Sequence, residues 1–376
     1  MKKIIIASDS FKGSMSSLDV ANSARVGIAE VYPNCEVVMV NVADGGEGTV
    51  DAIVDALHGE LVSCVVSDPL GRSIPAQYGV SGGTAVIEMA AASGLPLLLK
   101  EERNPWITST YGTGEMIMDA ISRGCRNFLV GIGGSATNDA GMGMLQALGF
   151  RFYDVNNELI INGRGGSLAT ITRIDDSQVP ISVKESVFTV ACDVDTPFCG
   201  PDGAAPVFAP QKGADTDMVK RLDHGMASFA HVIKQQYDID IVSVEGAGAA
   251  GGMGGAFLAF LGATLKKGID MVLDAIDFNA TIAGADLVIT GEGKVDFQTA
   301  KGKTAAGVLQ RAKKQHIPVI AIGGCVEMCD SLNAMGFAGI YPILEEKVPL
   351  EVAMQRDFAM SNVTKTVGKI IKEFKG

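Results

Sequence analysis

A run of glycine, hydroxyl and amide residues follows a short apolar segment near the middle of the chain. The apolar segment is Phe128–Val130, and the residues after it read GIGGSATNDAG, from Gly131 to Gly141. Glycine lets a backbone approach an anion closely, and amide groups at a helix start point toward it. The run therefore predicts an anion-binding loop, with Asp139 as a candidate metal ligand. The candidate donors of this loop are Gly133, Gly134, Ser135, Thr137 and Asn138.

The same loop also fits a second pattern. Gly131, Gly133 and Ala136 have the spacing of a dinucleotide fingerprint, and Asp154 lies about 20 residues further on, at the end of the next predicted strand. An NAD(P)-dependent oxidoreductase of small hydroxy acids is therefore an alternative. A plain tight turn with an Asn or Asp helix cap is the third interpretation.

Further loops combine glycine with charged side chains after predicted strands. In a doubly wound domain, ligands bind at the loops that follow the carboxyl ends of the strands. The GKT sequence at 302–304 resembles the end of a phosphate loop, but Phe297 stands where that motif needs glycine. These loops supply Lys12 in the first, Asp44 as a magnesium ligand or proton acceptor in the second, and Gly291, Glu292, Gly293, Lys294 and Lys303 in the last.

Two further candidates lie in the middle of the chain. Asp193 follows the predicted strand Val187–Ala191, so its carboxylate is presented at a strand end. Lys212 is a lone cation in a proline and glycine turn. The segment 246–255, GAGAAGGMGG, is too rich in small residues for a stable isolated helix, so it serves either close backbone packing or the approach of a ligand.

The elements that must position these loops are predicted from apolar patterns. At both ends of the chain, continuous apolar runs alternate with helical segments, which is typical of parallel strands buried on both faces. In the middle, short strands flank the turn Ser81–Gly83, which favours an antiparallel hairpin. We therefore predict an α/β protein with a Rossmann-like, doubly wound parallel-sheet domain from residues 1–66 and 281–376. Residues 67–280 form an inserted second α/β domain that contains a mixed sheet.

Composition and charge exclude several classes of protein. Asp and Glu number 43 against 31 Lys and Arg, and the net charge of −12 disfavours nucleic acid as a partner. Seven scattered cysteines without a C-x-x-C pair suit a reducing cytoplasm rather than a disulfide framework. The sequence contains no apolar stretch of the roughly 20 residues that a membrane span requires, and MKKIIIASDS is interpreted as a first strand rather than a signal peptide.

Short motifs rich in glycine and polar residues follow one another along the whole chain. In chain order they are SDSFKGS, VADGGEGT, EMAAASGL, TYGTGE, IGGSATNDAG, ACDVDTP, PQKGA, GAGAAGGMGG and TGEGKVDFQTAKGK. This series resembles that of bacterial glycerate kinases, of the type with one Rossmann-like domain and an inserted α/β domain. Two positions differ from that family: Ser8 stands where proline is usual, and Lys294 where arginine is usual, which loses the forked donor geometry.

The resemblance implies an enzyme that uses ATP and Mg²⁺ to phosphorylate (R)-glycerate, to 2-phosphoglycerate or, left open, 3-phosphoglycerate. It implies phosphate binding by the Gly133–Asn138 loop, a metal at Asp139 or Asp44, and proton acceptance by Asp193. Lys12, Lys212 and Lys294 would hold the glycerate carboxylate or the migrating phosphoryl group. We expect the active site in the cleft between the domains, with glycerate and ATP rather than a membrane as partners. Which loop binds which substrate stays open, as do a homodimer and the alternative of a non-catalytic small-acid sensor.

Overall fold

The computed structural model describes residues 1–46, 48–344, 346 and 348–374, with the side chain of Lys301 left out. It divides into two compact units. The first unit consists of residues 1–44, 55–57 and the chain from Val272 onward, and the second of residues 45–54 and 58–271. In the described ranges no helix is both long and apolar enough to cross a bilayer.

The strands are numbered in chain order. They are β1 Lys3–Ser8, β2 Glu36–Met39, β3 Glu60–Ser67, β4 Ser73–Ser81, β5 Thr84–Glu88, β6 Asn127–Gly131, β7 Arg151–Tyr153, β8 Arg173–Asp175, β9 Val187–Ala191, β10 Thr264–Lys266, β11 Leu287–Val295, β12 Val319–Val326 and β13 Gly339–Pro342.

The helices are numbered in the same way. They are α1 Ser17–Val31, α2 Thr49–Ala56, α3 Ala90–Ser93, α4 Tyr111–Ser122, α5 Met142–Ala147, α6 Ile181–Lys184, α7 Ala204–Phe208, α8 Thr216–Tyr237, α9 Ala249–Leu261, α10 Gly268–Ala275, α11 Phe278–Thr281, α12 Thr304–Lys313, α13 Asp330–Met335, α14 Leu350–Ala353 and α15 Arg356–Glu373.

The first unit is built on a parallel sheet in the order β13-β12-β11-β1-β2. Its interior strand β1, between β11 and β2, is buried throughout Ile4–Ala7, which explains why this run lacks an alternating pattern. Helices α1 and α15 pack closely because Gly27 lies against the backbone of Thr364, where a Cβ would come within 2.3 Å of the carbonyl oxygen. The sheet confirms the predicted Rossmann-like architecture.

The second unit contains a mixed sheet in the order β10-β9-β6-β5-β4-β3. The β3-β4-β5 part is antiparallel, with Ser81 paired to Thr84 across the predicted hairpin, and β5, β6, β9 and β10 are parallel. Phe128 and Phe188, on neighbouring strands, stack with ring centroids 4.8 Å apart. This confirms the predicted mixed sheet of the second α/β domain.

Some predicted boundaries differ from those of the structure. The chain passes to the second unit at 44/45, returns to the first for residues 55–57, and leaves the second unit at 271/272. Strand β3, predicted within the first domain, pairs along its length with β4 of the second unit. The apolar pattern of residues 257–265 favours one continuous helix, but α9 ends at Leu261, where Gly262 adopts φ +57° and the chain continues into β10. The pattern of residues 350–374 likewise favours one helix, whereas the structure has two, α14 and α15.

Candidate functional site

The ends of three neighbouring strands in the first unit surround a cavity of about 360 Å³. The loop after β1 contributes Asp9–Lys12 and Ser14, the end of β11 contributes Glu292–Lys294, and β12 contributes Gly324 and Cys325. Asp44 and Lys303 complete its charged side. The apolar side is formed by Phe11, Ile343, Leu344, Leu350, Ala353 and Met354.

Carboxylates on the charged side of this cavity are buried and lie near one another. Burial raises the pKa of Asp9, and repulsion from the Asp44 carboxylate raises it further. Asp9 also accepts hydrogen bonds from the Ser10 amide and, at 3.2 Å, from the Thr304 hydroxyl, which act in the opposite direction. Glu292 is only 6% exposed and accepts a hydrogen bond of 2.5 Å from the Thr299 hydroxyl. Burial raises the pKa of Glu292 to about 7, with Asp9 and Asp296 adding to the effect. The buried negative charges are therefore stabilised when a carboxylate takes up a proton or when a cation binds beside it.

Glu292→Gln is expected to remove part of the pH dependence of stability. Because the pKa of Glu292 is raised from 4.5 to about 7, the folded state binds a proton more tightly than the unfolded chain. Glu292 therefore contributes fully to the free energy of unfolding below pH 4.5. This contribution declines as the pH rises to 7, by up to about 1.4 kcal/mol per pH unit. Urea unfolding at several pH values in this window should show a shallower decline for the variant. Parallel curves would contradict the assignment.

The lysines of the cavity differ in their contacts. Lys294 is half exposed and forms ion pairs with Asp296 at 3.2 Å and with Glu327 at 2.9 Å. Lys12 is exposed on the loop after β1, and Lys303 precedes the first turn of α12. The structure thus brings together Lys12, Asp44, Glu292, Gly293, Lys294 and Lys303, whereas the predicted Gly291 lies buried within β11, where its Cβ position is 2.6 Å from the Ile322 carbonyl oxygen.

The predicted anion-binding loop of the second unit lies between β6 and α5 and is mostly buried. Gly133 and Gly134 are exposed, whereas residues 135–140 are buried. Lys212 lies against this loop and is 1% exposed. Its ammonium group donates hydrogen bonds of 2.7 Å to the Ser135 hydroxyl and 2.6 Å to the Thr137 carbonyl oxygen. Lys212 therefore has a positioning role, and its predicted contact with an anion stays a prediction.

Asp139 connects the same loop to two helices. Its carboxylate accepts hydrogen bonds from the amide and hydroxyl groups of Thr110, both at 2.8 Å, and from the amides of Gly141 and Gly143. Burial raises its pKa, while these hydrogen bonds act in the opposite direction. Four donors occupy about as many lone-pair sites as a carboxylate has. The contacts give Asp139 a structural role, and its predicted metal role gains no support from them.

The small-residue segment 246–255 packs directly behind the loop. A Cβ at Gly251, whose φ is +69°, would lie 2.2 Å from the Thr137 carbonyl oxygen. The Ala140 amide donates a hydrogen bond of 3.0 Å to the Gly251 carbonyl oxygen. Of the two predicted explanations for this segment, the structure therefore shows close backbone packing. Nearby, the Thr137 hydroxyl and the Asn138 side-chain oxygen are buried without a hydrogen-bond partner among the described residues.

Gly251→Ala is expected to destabilise the protein by at least about 3 kcal/mol, because backbone strain and overpacking add. Gly262→Ala is the matched control, since Gly262 also has a positive φ of +57° but no atom within 4 Å of its Cβ position. We expect this control to cost about 1–2 kcal/mol, the strain alone. Chemical denaturation of both variants measures the difference. Equal losses would show that the loop moves aside at no cost.

Asp193 lies at a neighbouring strand end of the second unit. The parallel pairing of Gly131 with Ala191 places Gly133 and Asp193 two residues beyond adjacent ends of β6 and β9. The Asp193 side chain is exposed and accepts a hydrogen bond of 3.0 Å from the Gly268 amide. Gly45 crosses the same edge, since its carbonyl oxygen is 2.4 Å from the Cβ position of Gly131. The sheet thus presents one carboxylate beside the exposed glycines.

The dinucleotide fingerprint does not have its required structural context. Strand β7, which precedes Asp154, pairs with β8 in a separate two-stranded sheet and not with β6. The Asp154 carboxylate accepts hydrogen bonds from the amides of Asn156 and Glu158, each at 2.9 Å, within its own turn. A ribose-binding acid beside the glycine loop is what the fingerprint needs. The geometry therefore disfavours the oxidoreductase.

Several residues in and around the first-unit cavity are given no individual role by the sequence alone. Asp9 lines the cavity, and Thr304 donates a hydrogen bond to Asp9. The signal for both is their position next to Lys12 and Lys303 in the quoted motifs. The apolar wall at Leu350 and Met354 carried no signal, because these residues fit the helical pattern predicted for the C-terminus. Among the described residues, no three His, Cys, Asp or Glu side chains are grouped to hold a metal by themselves.

Comparison with known proteins matches nearly the whole chain to one family. The model of the glycerate kinase family matches residues 4–375. The chain belongs to the glycerate kinase family. It is 46% identical to the glycerate kinase of Bacillus cereus over 376 residues, covering 99% of this chain and 98% of that protein. It is 49% identical to the glycerate 2-kinase of Escherichia coli over 324 residues, covering 86% and 85%.

A solved structure extends the match to the fold. The crystal structure titled putative glycerate kinase 2 from Salmonella typhimurium LT2 superposes with a TM-score of 0.89 at 42% identity, covering 98% of this chain and 97% of that one. The predicted resemblance, the fold class and an enzyme of the glycerate kinase family are thereby confirmed. As a kinase family, it implies ATP as the phosphate donor.

Proposed function

We propose that the protein transfers the γ-phosphoryl group of ATP to the 2-hydroxyl group of (R)-glycerate, giving ADP and 2-phosphoglycerate. The observation that carries this proposal is the match to the glycerate kinase family over residues 4–375. The choice of the 2-hydroxyl is supported by the names of a curated relative, glycerate 2-kinase, and of a solved structure, putative glycerate kinase 2.

The residues of both units supply the groups that phosphoryl transfer requires. This reaction depends mainly on positioning and on stabilising the charge of the transferred group. In the first unit, Lys12, Lys294 and Lys303 present ammonium groups to one cavity. In the second unit, Gly133 and Gly134 are exposed and have no side chain that would keep an anion from their backbone.

Asp193 is proposed to accept the proton of the reacting glycerate hydroxyl. Its carboxylate is exposed, and the Gly268 amide fixes one of its oxygens at 3.0 Å. This contact fixes the orientation of the carboxylate and therefore the position of its second oxygen. A proton acceptor must first of all be correctly positioned toward the proton that it takes up. The Gly133 and Gly134 amides at the neighbouring strand end would orient the anionic part of the substrate.

The carboxylates of the first unit fit a magnesium ion. Mg²⁺ is usually held by one or two carboxylates together with substrate phosphates and water. Asp9 and Asp44 face the same cavity, and their mutual repulsion, which contributes to the raised pKa of Asp9, is the kind that a divalent cation relieves. When bound, the metal would neutralise charge on the phosphate oxygens. Asp9 and Asp44 would hold it, whereas the oxygens of Asp139 already have protein donors.

A coupled ADP-release assay with (R)-glycerate tests the proposal, and ³¹P NMR of the product identifies the phosphorylated hydroxyl. We expect ADP release with (R)-glycerate and a product resonance of 2-phosphoglycerate. A resonance of 3-phosphoglycerate would overturn the choice of hydroxyl. Binding of glycerate without ADP release would indicate the small-acid sensor, and a change in NAD(P)H absorbance with a small oxo acid would indicate the oxidoreductase.

We also propose that the protein is located in the cytoplasm, which the free cysteines support because such thiols persist in a reducing compartment. The homodimer stays a prediction.

A further inference from the structure

We infer that the cavity of the first unit is the nucleotide site, with the adenine base on its apolar side and the phosphates on its charged side. The inference rests on the proposed function, whose phosphate donor it locates. It decides a point that the motifs leave open, namely which loops bind ATP. The cavity volume of about 360 Å³ lies within the range of pockets that enclose small ligands and cofactors.

The apolar side of the cavity offers a surface suited to a flat ring. Leu350 is 75% exposed and Met354 is 37% exposed, although both are large apolar side chains that line a cavity. They lie four residues apart across the end of α14, so they point to the same side of the chain. Covering them with an aromatic base would remove apolar area from water, which is favourable.

The loop after β1 joins the two sides of the cavity. Gly13 has φ +78°, and its Cβ position is 2.8 Å from the terminal methyl carbon of Met354. Met354 therefore lies directly on the loop that carries Lys12 and Ser14. The Ser14 hydroxyl is buried and has no hydrogen-bond partner among the described residues. A ligand that spans the cavity would contact Met354 and the polar groups of this loop together.

The charged side suits a polyphosphate rather than an isolated carboxylate. Lys12 lines it from the loop after β1, Lys294 from the end of β11 and Lys303 from the residue before α12. Asp9 and Asp44 line the same cavity. Several phosphate groups with a divalent cation match such a mixture of charges. Glycerate carries an oxygen atom on each of its three carbons and has no apolar face, so it would leave the Leu350 and Met354 side uncovered.

Cys325 provides a direct reporter of occupancy. Its thiol is exposed and lines the cavity, whereas Cys35 is half-buried in the same unit and does not line it. The full-length protein is treated with iodoacetamide, a neutral reagent, and alkylation of each cysteine is followed by peptide mass spectrometry. MgATP is expected to slow alkylation of Cys325 at least about tenfold, because a bound ligand buries most of its surface in such a cavity. Glycerate alone should leave the rate at Cys325 unchanged, and both ligands should leave the rate at Cys35 unchanged.

The outcomes separate this inference from the proposed function when ADP release is measured on the same sample. Turnover of glycerate without protection of Cys325 by MgATP overturns the inference alone, as does protection by glycerate instead of ATP. Protection by MgATP without turnover of glycerate supports the nucleotide site and overturns the proposed function.

A pair of variants gives a second, kinetic readout. Met354→Glu places a carboxylate on the apolar side and is expected to raise KM for ATP at least about tenfold, since an ionised group is poorly accommodated against a base. KM for glycerate should change less than about twofold, since Met354 lines the cavity of the first unit, whereas the proposed glycerate contacts belong to residues of the second unit. Met328→Glu, at an exposed methionine of the same unit that does not line the cavity, is the matched control and should leave both constants unchanged. A rise in KM for glycerate alone would overturn the inference.

Discussion

Asp193→Asn is expected to lower kcat for glycerate phosphorylation by at least about a hundredfold, the usual contribution of a positioned proton acceptor. The asparagine keeps the size of the side chain and an oxygen that can accept the hydrogen bond from the Gly268 amide. The change therefore removes the ability to take up a proton while preserving the contact that orients the side chain. KM for both substrates should change far less than kcat, since Asp193 is proposed to act on the hydroxyl proton. The ADP-release assay at saturating substrates measures the effect.

Asp195→Asn is the matched control for this prediction. Asp195 is exposed on the same segment after β9, two residues beyond Asp193, and the substitution makes the same change in charge. We expect kcat of the control to stay within about twofold of the wild type, because Asp195 is given no contact with the reacting groups and substitutions of such surface residues have small effects. A near-normal kcat for Asp193→Asn would remove Asp193 from the role of base. Equal losses in both variants would point to the net charge of the segment instead.

The sheet of the first unit was predictable because its interior strands β1, β11 and β12 are largely buried. The Ile4–Ala7 run is fully buried, and such runs are recognised by continuous apolar character. The first domain junction was placed too late because β3 also consists of mixed apolar residues. Only its pairing with β4, in which Val62 lies opposite Tyr78, shows to which sheet it belongs. Local pattern carries no information on a strand's partner.

The loops that carry the candidate sites were predictable for a similar reason. Glycines and charged residues immediately after an apolar run are a local signal, and parallel strands bring such ends to one edge. The buried state of Lys212 was not predictable, because it depends on Ser135 and Thr137, 77 and 75 residues away in the chain. The same holds for Asp139, whose partner Thr110 lies 29 residues earlier. Sequence shows that a residue can bind a ligand, but not whether the protein already uses its hydrogen bonds.

Lys212→Met is expected to change the pH dependence of stability more than any other substitution considered. Burial lowers the pKa of Lys212 to about 7, with nearby Asp139 opposing the shift. Between pH 7 and the unfolded value of 10.5, the unfolded chain therefore binds a proton that the folded protein has released. In this window the contribution of Lys212 to the free energy of unfolding increases with pH, by up to about 4 kcal/mol between pH 7 and 10. Methionine has similar bulk and no charge, so the variant should lack this increase.

Urea unfolding of the wild type and the variant at several pH values from 7 to 10, under reducing conditions, tests this. Other titrating groups are common to both proteins, so the difference between the two curves isolates Lys212. Lys220→Met, at an exposed lysine of α8 in the same unit, is the control and should give a curve parallel to that of the wild type. If Lys212→Met also runs parallel, the buried lysine keeps its proton throughout this range. The Gly133–Asn138 loop would then be held by a lysine that stays charged, and not by one that loses its proton near neutral pH.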